Sequence, residues 1–540
     1  MKSECLPFSQ IPHTTQLFSD FLFDFPKVQE FYSRPPRFGE WARDEAMRLG
    51  YDPARRERVA AILEQQNRSW GAPPRTLENI ARLRAGASVA VTGQQVGLFG
   101  GPAFSIFKAL TTVKLADQAT RSGADCVPVF WLATEDHDLA EVNHVSIPGA
   151  NGVLERLTVS SEGLPDAPVG TIRFGAEIEA VVEAAAGLLG DSEAAGFLRE
   201  CYRPGETLGS AFARLFARVF ADWGVILLDA SDPALHTIVE PIFRTAIQKA
   251  EQLDEALLTR GRVLESAGYH QQVKVTPSST LLFTLRDGAR VPVHRRTNGS
   301  PQPDFLIGEE RIPQAELQRR IAAAPHHFSP NVLLRPVVQD YLLPTLAYTG
   351  GAAEVAYFAQ AAVVYEALLG RLTPIVPRFS ATLVESKPET LLQRYRLGLP
   401  ELFHGPDELR ERLAAQTLPE ELQSAFDNAG ANLEQSLSAI RGSLARLDKT
   451  LVDAASKAGS KMRHQLERLR SRAARAELRH SEVLARHAEL LSNALYPNKT
   501  LQEREIGGIY FVARHGLEVL HQLYDTIHTE CLDHQVVSLN

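Results

Sequence analysis

The chain contains 540 residues, of which 44% are hydrophobic, and it carries a formal net charge of −8. This length predicts about three or four structural units, and the apolar content is sufficient for large hydrophobic cores. The mildly negative charge argues against a nucleic-acid-binding protein, and charges or prolines interrupt every apolar run before it reaches the length of a membrane span. The N-terminus lacks the apolar core of a secretory signal. We therefore expect a cytoplasmic protein that binds neither nucleic acid nor membranes.

The cysteines of the chain are far apart, and no two of them form a Cys-x-x-Cys motif: Cys5, Cys126, Cys201 and Cys531. This usage suits a reducing cytoplasm and predicts neither a disulfide framework nor a zinc site. A buried or incidental thiol is the expected state of each cysteine.

Apolar periodicity and turn residues divide the chain into four parts. The predicted parts are an N-terminal helical segment, an α/β core, a helical coiled-coil domain and a C-terminal helical segment that returns to the core: residues 1–86, 87–380, 381–500 and 501–540. The core is expected to carry insertions at about residues 150–222 and 265–325. The second insertion contains a predicted β-hairpin that turns at Asp287-Gly288.

The segment from Val89 to Pro102 has a β-branched run, a glycine-rich turn and then the start of a helical pattern. This order places ligands at the carboxyl end of a parallel strand, where glycine N–H groups can approach them closely. The candidate binding residues of this turn are Gly93, Gln94, Gln95, Gly97, Gly100 and Gly101. The turn matches neither the Walker P-loop nor G-x-G-x-x-G. The alternative is a structural turn whose glycines only relieve crowding.

A second buried strand is predicted at Cys126–Ala133, so that two strands flank one helix as in a parallel βαβ unit. The polar run Glu135-Asp136-His137-Asp138 follows this strand. A histidine beside carboxylates can act as a base or bind an amine, and with His144 it could also begin a metal site. The plain alternative is a helix N-cap with solvated acids. Because the run follows a strand, we predict that Asp136, His137 and Asp138 are catalytic together with Gln95, and that no metal is bound.

Two further segments supply binding candidates. Arg335 lies among apolar residues, so it is expected to meet a carboxylate or phosphate, and Asp340 is the internal candidate for that partner. A second glycine turn then opens a helix whose N–H groups form a candidate anion site. Capping of that helix is the alternative role of Glu354. The predicted binding residues here are Asn331, Arg335, Gln339, Asp340, Tyr348, Gly350, Gly351 and Glu354.

The last third of the chain has a heptad seam of apolar residues at alternating four- and three-residue steps. Its members are Leu433, Leu437, Ile440, Leu444, Leu447, Leu451, Ala454 and Ala458. An antiparallel helix pair within one chain is at least as well supported as a coil between chains, since residues 405–425 are also helix-prone. Basic residues are frequent over 461–479, where a solvated helix face is the ordinary explanation.

Several long strings, taken together, resemble the family of bacillithiol-synthesis cysteine-adding enzymes (cysteine ligase type) from end to end. The matching segments are Val91–Pro102, Val129–Asp138, Glu141–His144, Ser329–Asp340, Leu343–Tyr348, Glu354–Phe358, Leu495–Asn498 and Leu501–Arg504. Small departures from the expected pattern occur at Ala103 and Ala352.

The resemblance implies an α/β fold with a Rossmann-like, nucleotidyltransferase-type core, inserted connecting segments and a C-terminal α-helical coiled coil used in homodimerisation. It also implies that the enzyme joins cysteine to the glucosamine amine of glucosaminyl malate. ATP with Mg²⁺ is the expected activator, although the residues themselves carry no strong nucleotide motif, and no tightly bound metal is expected. The alternatives are a ligase for another amino acid and amine, a non-catalytic coiled-coil scaffold, or a metal hydrolase.

Overall fold

A computed structural model of the chain describes residues 1–160, 166–296, 304–416, 420–448, 450–478, 482–528 and 531–539, with the side chains of 415, 416, 420 and 474–478 left out. The strands are β1 Lys2–Leu6, β2 Ser88–Gln94, β3 Cys126–Leu132, β4 His144–Pro148, β5 Leu154–Thr158, β6 Ile226–Asp229, β7 Ser279–Arg286, β8 Ala289–Arg296, β9 Asp304–Ile307, β10 Glu310–Pro313, β11 Phe328–Pro330, β12 Thr345–Gly350, β13 Ile375–Pro377, β14 Ala381–Val384 and β15 His534–Ser538.

The α-helices surround these strands and form most of the C-terminal third. They are α1 Gln16–Phe23, α2 Ala42–Arg48, α3 Pro53–Ser69, α4 Pro74–Ala85, α5 Phe104–Arg121, α6 Leu139–Val142, α7 Glu177–Leu189, α8 Glu193–Cys201, α9 Leu208–Val219, α10 Pro233–Gln248, α11 Ala250–Ser266, α12 Gln314–Ala323, α13 Arg335–Leu342, α14 Ala352–Leu369, α15 Ser386–Arg394, α16 Pro406–Gln416, α17 Glu420–Leu447, α18 Thr450–Leu478, α19 Glu482–Leu495, α20 Gln502–Glu505, α21 Gly508–His515 and α22 Glu518–Thr526.

A five-stranded parallel sheet with the order β13-β12-β2-β3-β6 forms the centre of the core. Both faces of the sheet are covered, because its strands send side chains into hydrophobic clusters on either side. In β3, Val129 and Trp131 pack into one cluster, whereas Phe130 and Leu132 pack into the other. The predicted α/β, Rossmann-like fold is confirmed.

The segment from β7 to β11 forms a separate five-stranded antiparallel sheet with the order β10-β9-β8-β7-β11. The predicted hairpin is confirmed, since β7 and β8 pair across Asp287 and Gly288. Both turn residues have positive φ, 52° and 83°, as a tight hairpin turn requires. This sheet carries Phe283 and Arg290 to the edge of the parallel sheet.

The coiled-coil region is an antiparallel hairpin of the long helices α17 and α18. Arg463 pairs with Glu434, and Arg470 lies 3.1 Å from Asp427, so residue numbers rise on one helix as they fall on the other. The structure thus shows the antiparallel pair within one chain. These two contacts place part of the basic stretch against acids of α17; Arg475 and Arg479 lie outside the described side chains.

The two ends of the chain meet in a small sheet with the order β1-β15-β14. The sequence predicted mainly helical structure in these end segments, because strand pairing between residues more than 500 positions apart leaves no local signal. The same pairing brings Cys5 to Cys531, which the structure joins as a disulfide. The expectation of unpaired thiols is therefore wrong for these two cysteines. Cys126 and Cys201 are free and buried.

Helix α14 is long and apolar enough to cross a membrane by length and composition alone. In this structure it is a core helix, since Val355, Phe358 and Tyr365 are buried in the larger hydrophobic cluster. The Tyr365 hydroxyl also lies 2.9 Å from the backbone oxygen of Pro336 on α13. Its apolar composition is explained by packing inside the protein.

A fully buried histidine makes the stability of this fold depend on pH. The ring of His534 lies between the hydroxyls of Ser380 and Thr382, at 2.8 and 2.9 Å. Burial lowers the pKa of His534 to about 4, with Glu503 opposing and Arg378 reinforcing the shift. The unfolded chain therefore binds a proton below about pH 6.5 that the folded chain does not bind, so stability falls as pH decreases from 6.5 to 4.

We predict that wild-type protein loses about 2 kcal/mol more stability than His534→Gln between pH 7.5 and pH 5. The measurement is urea unfolding at both pH values, with the exposed His13→Gln variant as the matched control. Equal losses in wild type and His534→Gln would contradict a neutral, buried His534.

Candidate functional site

A cavity of about 1050 Å³ opens at the carboxyl ends of β2, β3 and β12. Strand β2 is central, and the chain passes from it to β3 on one side and later to β12 on the other. Ligands of open parallel sheets bind where the strand order reverses in this way. The loops after these strands are the segments that the sequence singled out.

Most of the predicted site residues line this cavity, but some do not. Its lining includes Gly93, Gln94, Gln95, Gly97, Asp136, His137, His144, Asn331, Arg335, Tyr348, Gly351 and Glu354. The predicted residues outside the lining are Gly100, Gly101, Asp138, Gln339, Asp340 and Gly350. The structure therefore brings together three segments that are far apart in the chain.

The glycine turn after β2 does not present its later N–H groups to a ligand, as the sequence suggested. The Gly100 N–H donates to Gly97 O at 3.1 Å, and the Gly101 N–H donates to Leu98 O at 3.0 Å. Both glycines have positive φ, 89° and 71°, which a side chain would disfavour. The prediction that Gly100 and Gly101 hold a ligand through N–H groups is corrected: tight-turn geometry explains them.

Lys108 of α5 is a buried residue that the sequence did not single out. Its Nζ donates to Gly93 O at 2.9 Å, to Gln94 Oε1 at 2.8 Å and to Glu354 Oε1 at 2.9 Å. Because these contacts use all three ammonium donors, Lys108 holds the β2 turn against the start of α14. It serves as an internal link rather than as a ligand for substrate.

Glu354 is held as an anion by several donors. Burial raises its pKa, but Lys108, the Gly351 N–H and the Tyr348 hydroxyl outweigh burial, so the pKa lies below its usual value. The Gly351 N–H donates at 2.6 Å and the Tyr348 hydroxyl at 2.7 Å. Glu354 therefore caps α14, which is the alternative role given in the sequence analysis, and it also pairs with Lys108.

Arg335 pairs neither with Asp340, its candidate partner from the sequence, nor with another carboxylate in the described part of the chain. Its guanidinium donates to Gln339 Oε1 at 3.2 Å and to the Tyr357 hydroxyl at 2.8 Å, which are neutral groups. Asp340 is occupied elsewhere, since it accepts from Gln339 Nε2 and from the Tyr365 hydroxyl. Asp340 is thus not the partner of Arg335, and the remaining donors of Arg335 lie at the cavity.

An acidic group of residues occupies another part of the cavity wall. Gln95 Nε2 donates to Asp136 Oδ2 at 2.9 Å and to Glu141 Oε2 at 2.7 Å, and so orients both carboxylates. The other oxygen of Asp136 accepts from the His137 N–H at 2.7 Å. Asp138 instead caps α6 by accepting from the Glu141 N–H, which is the helix-capping alternative.

The hydrogen-bonding role of His137 Nδ1 follows from its neighbour Arg290. Arg290 Nη1 lies 3.3 Å from His137 Nδ1. A guanidinium can only donate, so Nδ1 accepts and the ring proton of neutral His137 is on Nε2. His137 can therefore donate a hydrogen bond to a ligand through Nε2. Phe283 packs against both side chains.

Sequence reasoning missed further cations of this cavity, which are Lys108, Arg156, Arg290, Arg378 and Arg504. Arg378 follows β13, so it stands at the same end of the sheet as the other loops, and it pairs with Glu503 at 2.6 Å. Arg504 makes no side-chain hydrogen bond or ion pair with any residue that the structure describes. Burial and the neighbouring Arg378 lower its pKa. Arg504 lies in Leu501–Arg504, one of the segments that resemble the family, and this resemblance could have pointed to it.

His144 lies at the cavity beside Arg156, and burial followed by that positive charge lowers its pKa. Its Nδ1 contacts Asn143 Oδ1 at 3.3 Å. Across the described ranges, no group of three or more His, Cys, Asp or Glu side chains is arranged to hold a metal ion.

We predict that Lys108→Met lowers the free energy of unfolding by about 3 kcal/mol, because it leaves the Glu354 carboxylate buried without its cation. The double variant Lys108→Met/Glu354→Gln should recover part of that loss. Denaturant unfolding measures both, with the exposed Lys457→Met as control. A loss no larger than that of Lys457→Met would contradict the proposed link between the two turns.

Comparison with known proteins gives full-length matches. The family model for the bacillithiol biosynthesis BshC N-terminal Rossmann-like domain matches residues 1–379, and the model for the BshC C-terminal coiled-coil domain matches residues 381–539. A Koribacter versatilis protein named "Putative cysteine ligase BshC" is 50% identical over 537 residues, covering 99% of this chain and 100% of the relative.

Proteins of the same name from two other bacteria are more distant matches that also cover nearly the whole chain. The Solibacter usitatus protein is 38% identical, with 99% of this chain and 100% of the relative covered. The Geobacillus thermodenitrificans protein is 30% identical, with 95% and 96% covered. The family predicted from the sequence strings is confirmed: the chain belongs to the BshC family of bacillithiol biosynthesis.

Proposed function

We propose that this chain is a cytoplasmic ligase that adds L-cysteine to the glucosamine amine of glucosaminyl malate and so forms bacillithiol. The names of its relatives support a cysteine ligase. The observation that carries the proposal is the charge arrangement of the cavity, which has a cationic group and an acidic group on its wall. The two substrates carry both signs of charge, as carboxylates and as ammonium groups.

The cationic group fits a carboxylate or a phosphate. Lys108, Arg335, Arg378 and Arg504 surround the start of α14, where the described acids are Glu354 and Glu503. The four cations and two carboxylates together leave two positive charges that no described acid of this group balances. The first N–H groups of α14 also lack intrahelical acceptors and favour an anion. We assign the malyl carboxylates or a nucleotide phosphate to this group.

The acidic group fits an ammonium or an amine that must lose a proton. Asp136 and Glu141 are oriented by Gln95, and His137 offers an Nε2–H donor beside them. An attacking amine becomes more acidic as it forms the new C–N bond, so a carboxylate near it can accept the released proton. Asp136 is our candidate for that proton acceptor.

Amide formation from a free carboxylate is uphill, so the cysteine carboxyl group requires activation. ATP with Mg²⁺ would supply that activation: the cysteine carboxylate would displace pyrophosphate to give an acyl-adenylate, and the attacking amine would displace AMP as the C–N bond forms. The donor set around Arg335 and Arg504 is chemically suited to phosphates. The residues of the chain then orient the acyl group and amine and exclude water, which is how binding lowers the barrier of such a reaction.

We predict that purified protein forms bacillithiol from cysteine and glucosaminyl malate when ATP and Mg²⁺ are present, as measured by mass spectrometry of the product. Product without ATP would require another source of activation. Folded protein that forms no product under any condition would contradict the proposed substrates. A panel of other amino acids with the same acceptor would then test a ligase of different specificity.

Substitutions in the protein test the acidic and the cationic group of the cavity separately in the same assay. Asp136→Asn and Gln95→Ala should abolish product formation while the protein remains folded. Arg504→Gln should raise the KM for glucosaminyl malate about tenfold or more, since it removes a charge-assisted contact. The exposed Arg486→Gln is the matched control. Full activity of all three cavity variants would exclude this cavity as the active site.

We further propose that the chain forms a homodimer through its helical hairpin. The antiparallel pairing of α17 with α18 buries Leu437, but it leaves other apolar positions in solvent. Ile440, Met462 and Leu469 are 50%, 50% and 56% exposed, and Leu447 is 79% exposed at the hairpin tip. Exposed apolar positions on one element are typical of surfaces that pair with another protein.

We predict that the double variant Ile440→Glu/Leu469→Glu shifts the protein from dimer to monomer, because charges at these apolar positions oppose their burial between two chains. Light scattering after size-exclusion chromatography measures the mass. Ser438→Glu/Arg468→Glu adds the same residues at exposed polar positions and serves as control. A monomeric wild type, or an Ile440→Glu/Leu469→Glu variant that stays dimeric, would contradict dimerisation through the hairpin.

A further inference from the structure

A second histidine, His236, lies behind the cavity on the first turn of α10. Its Nε2 is 3.0 Å from Glu135 Oε1 and 3.0 Å from Ala230 O, and its Nδ1 is 3.2 Å from Pro325 O. Carbonyl oxygens only accept, and so does an ionised carboxylate. Both ring nitrogens must therefore donate, which makes His236 an imidazolium.

The charges around His236 favour this state. Burial lowers its pKa, but Glu135 and the carbonyls of Pro325 and Ala230 outweigh burial and raise the pKa to about 9. His326, on the adjacent turn, is the other titratable side chain that interacts with it, and the positive charge of His236 contributes to a lower pKa of His326. The buried ring thus stays charged at neutral pH.

Glu135 connects this histidine to the cavity. Glu135 lies in the loop that follows β3, and its side chain is 14% exposed and lines the cavity wall. Within the part of the chain that the structure describes, His236 is its only side-chain hydrogen-bond or ion-pair partner, through Oε1. Its second oxygen, Oε2, consequently has no internal donor and is available to a ligand.

We propose that His236 is a positioning residue that orients Glu135, and that Glu135 binds the α-ammonium of the amino-acid substrate. The contact is a salt bridge from the ammonium to Oε2, while Oε1 remains bonded to His236. This inference rests on the proposed function, and it adds the group that selects an amino acid over a simple thiol or carboxylic acid.

The chemistry of the reaction favours an ammonium at this place. The α-ammonium of the amino acid is unchanged when its carboxyl group forms an amide, so it needs a fixed anion and not a proton acceptor. An imidazolium held by three acceptors immobilises one carboxylate oxygen and thereby the direction of the other. Asp136, which is oriented by neutral Gln95, remains the candidate for proton transfer.

Steady-state kinetics of the full-length enzyme tests this role. Glu135→Gln and His236→Gln should each raise the KM for cysteine about tenfold or more, with the KM for glucosaminyl malate changed less than twofold. The double variant should be no worse than Glu135→Gln alone, because His236 acts through Glu135. The exposed His326→Gln is the matched control from the neighbouring turn.

Two kinetic results would overturn the proposal. One is an unchanged KM for cysteine in Glu135→Gln protein that is folded. The other is an equal rise of both KM values, which indicates general loss of structure. The analogue 3-mercaptopropionate lacks the ammonium. The kcat/KM ratio for cysteine over this analogue should be at least about tenfold larger in wild type than in Glu135→Gln.

The charge state of His236 can be tested without any activity. In ¹⁵N-histidine-labelled protein at pH 7.5, the His236 ring should show two protonated nitrogens, and Glu135→Gln should lower the pKa of His236, because it removes the neighbouring negative charge. A neutral His236 in wild type would overturn the positioning role. Wild type that forms no product, with His236 charged as expected, would reject the proposed reaction and leave the His236–Glu135 geometry standing.

Discussion

The buried ion pair between Lys108 and Glu354 is the interaction on which the arrangement of this site depends. Lys108 also bonds Gly93 O and Gln94, so one ammonium group joins the end of β2 to the start of α14. Its donors are all satisfied internally, which makes the link stable in a low-dielectric interior. Because Lys108 and Glu354 are bonded to each other, other charged groups of the cavity are the ones free to bind a ligand.

Those other groups divide the cavity wall by charge. Arg335 contacts only neutral partners, and Arg504 has no partner among the described residues, so this part of the wall attracts anions. Asp136 and Glu135 lie on the loop after β3 and supply negative charge. A bipolar wall orients a substrate pair before reaction, since each end of the ligand has one favourable place.

The C-terminal segment belongs to the site although it follows the coiled coil in the chain. Glu503 accepts bonds from Arg378, from Ser380 Oγ and from the Ala381 N–H, which anchors α20 beside β13. This anchoring places the next residue, Arg504, at the cavity. The helical hairpin is thereby connected through α19 and α20 to the cationic residues of the cavity wall.

Local sequence patterns determined the elements of this protein. Apolar runs and glycine turns predicted β2, β3 and the start of α14, because strand period and turn chemistry are encoded in neighbouring residues. They also placed Asp136 and Arg335 near the cavity, since the carboxyl ends of parallel strands share one edge. Long family strings identified the family before any geometry was known.

Only the tertiary structure decided which side chains meet. Arg335 and Asp340 are close in sequence, yet Tyr365 and Gln339 occupy Asp340. His236 and Glu135 are about a hundred residues apart and are in contact. The β1–β15 pairing that brings Cys5 to Cys531 had no local signal either. Contacts between distant segments depend on how whole elements pack, and the periodicity of one segment does not predict that packing.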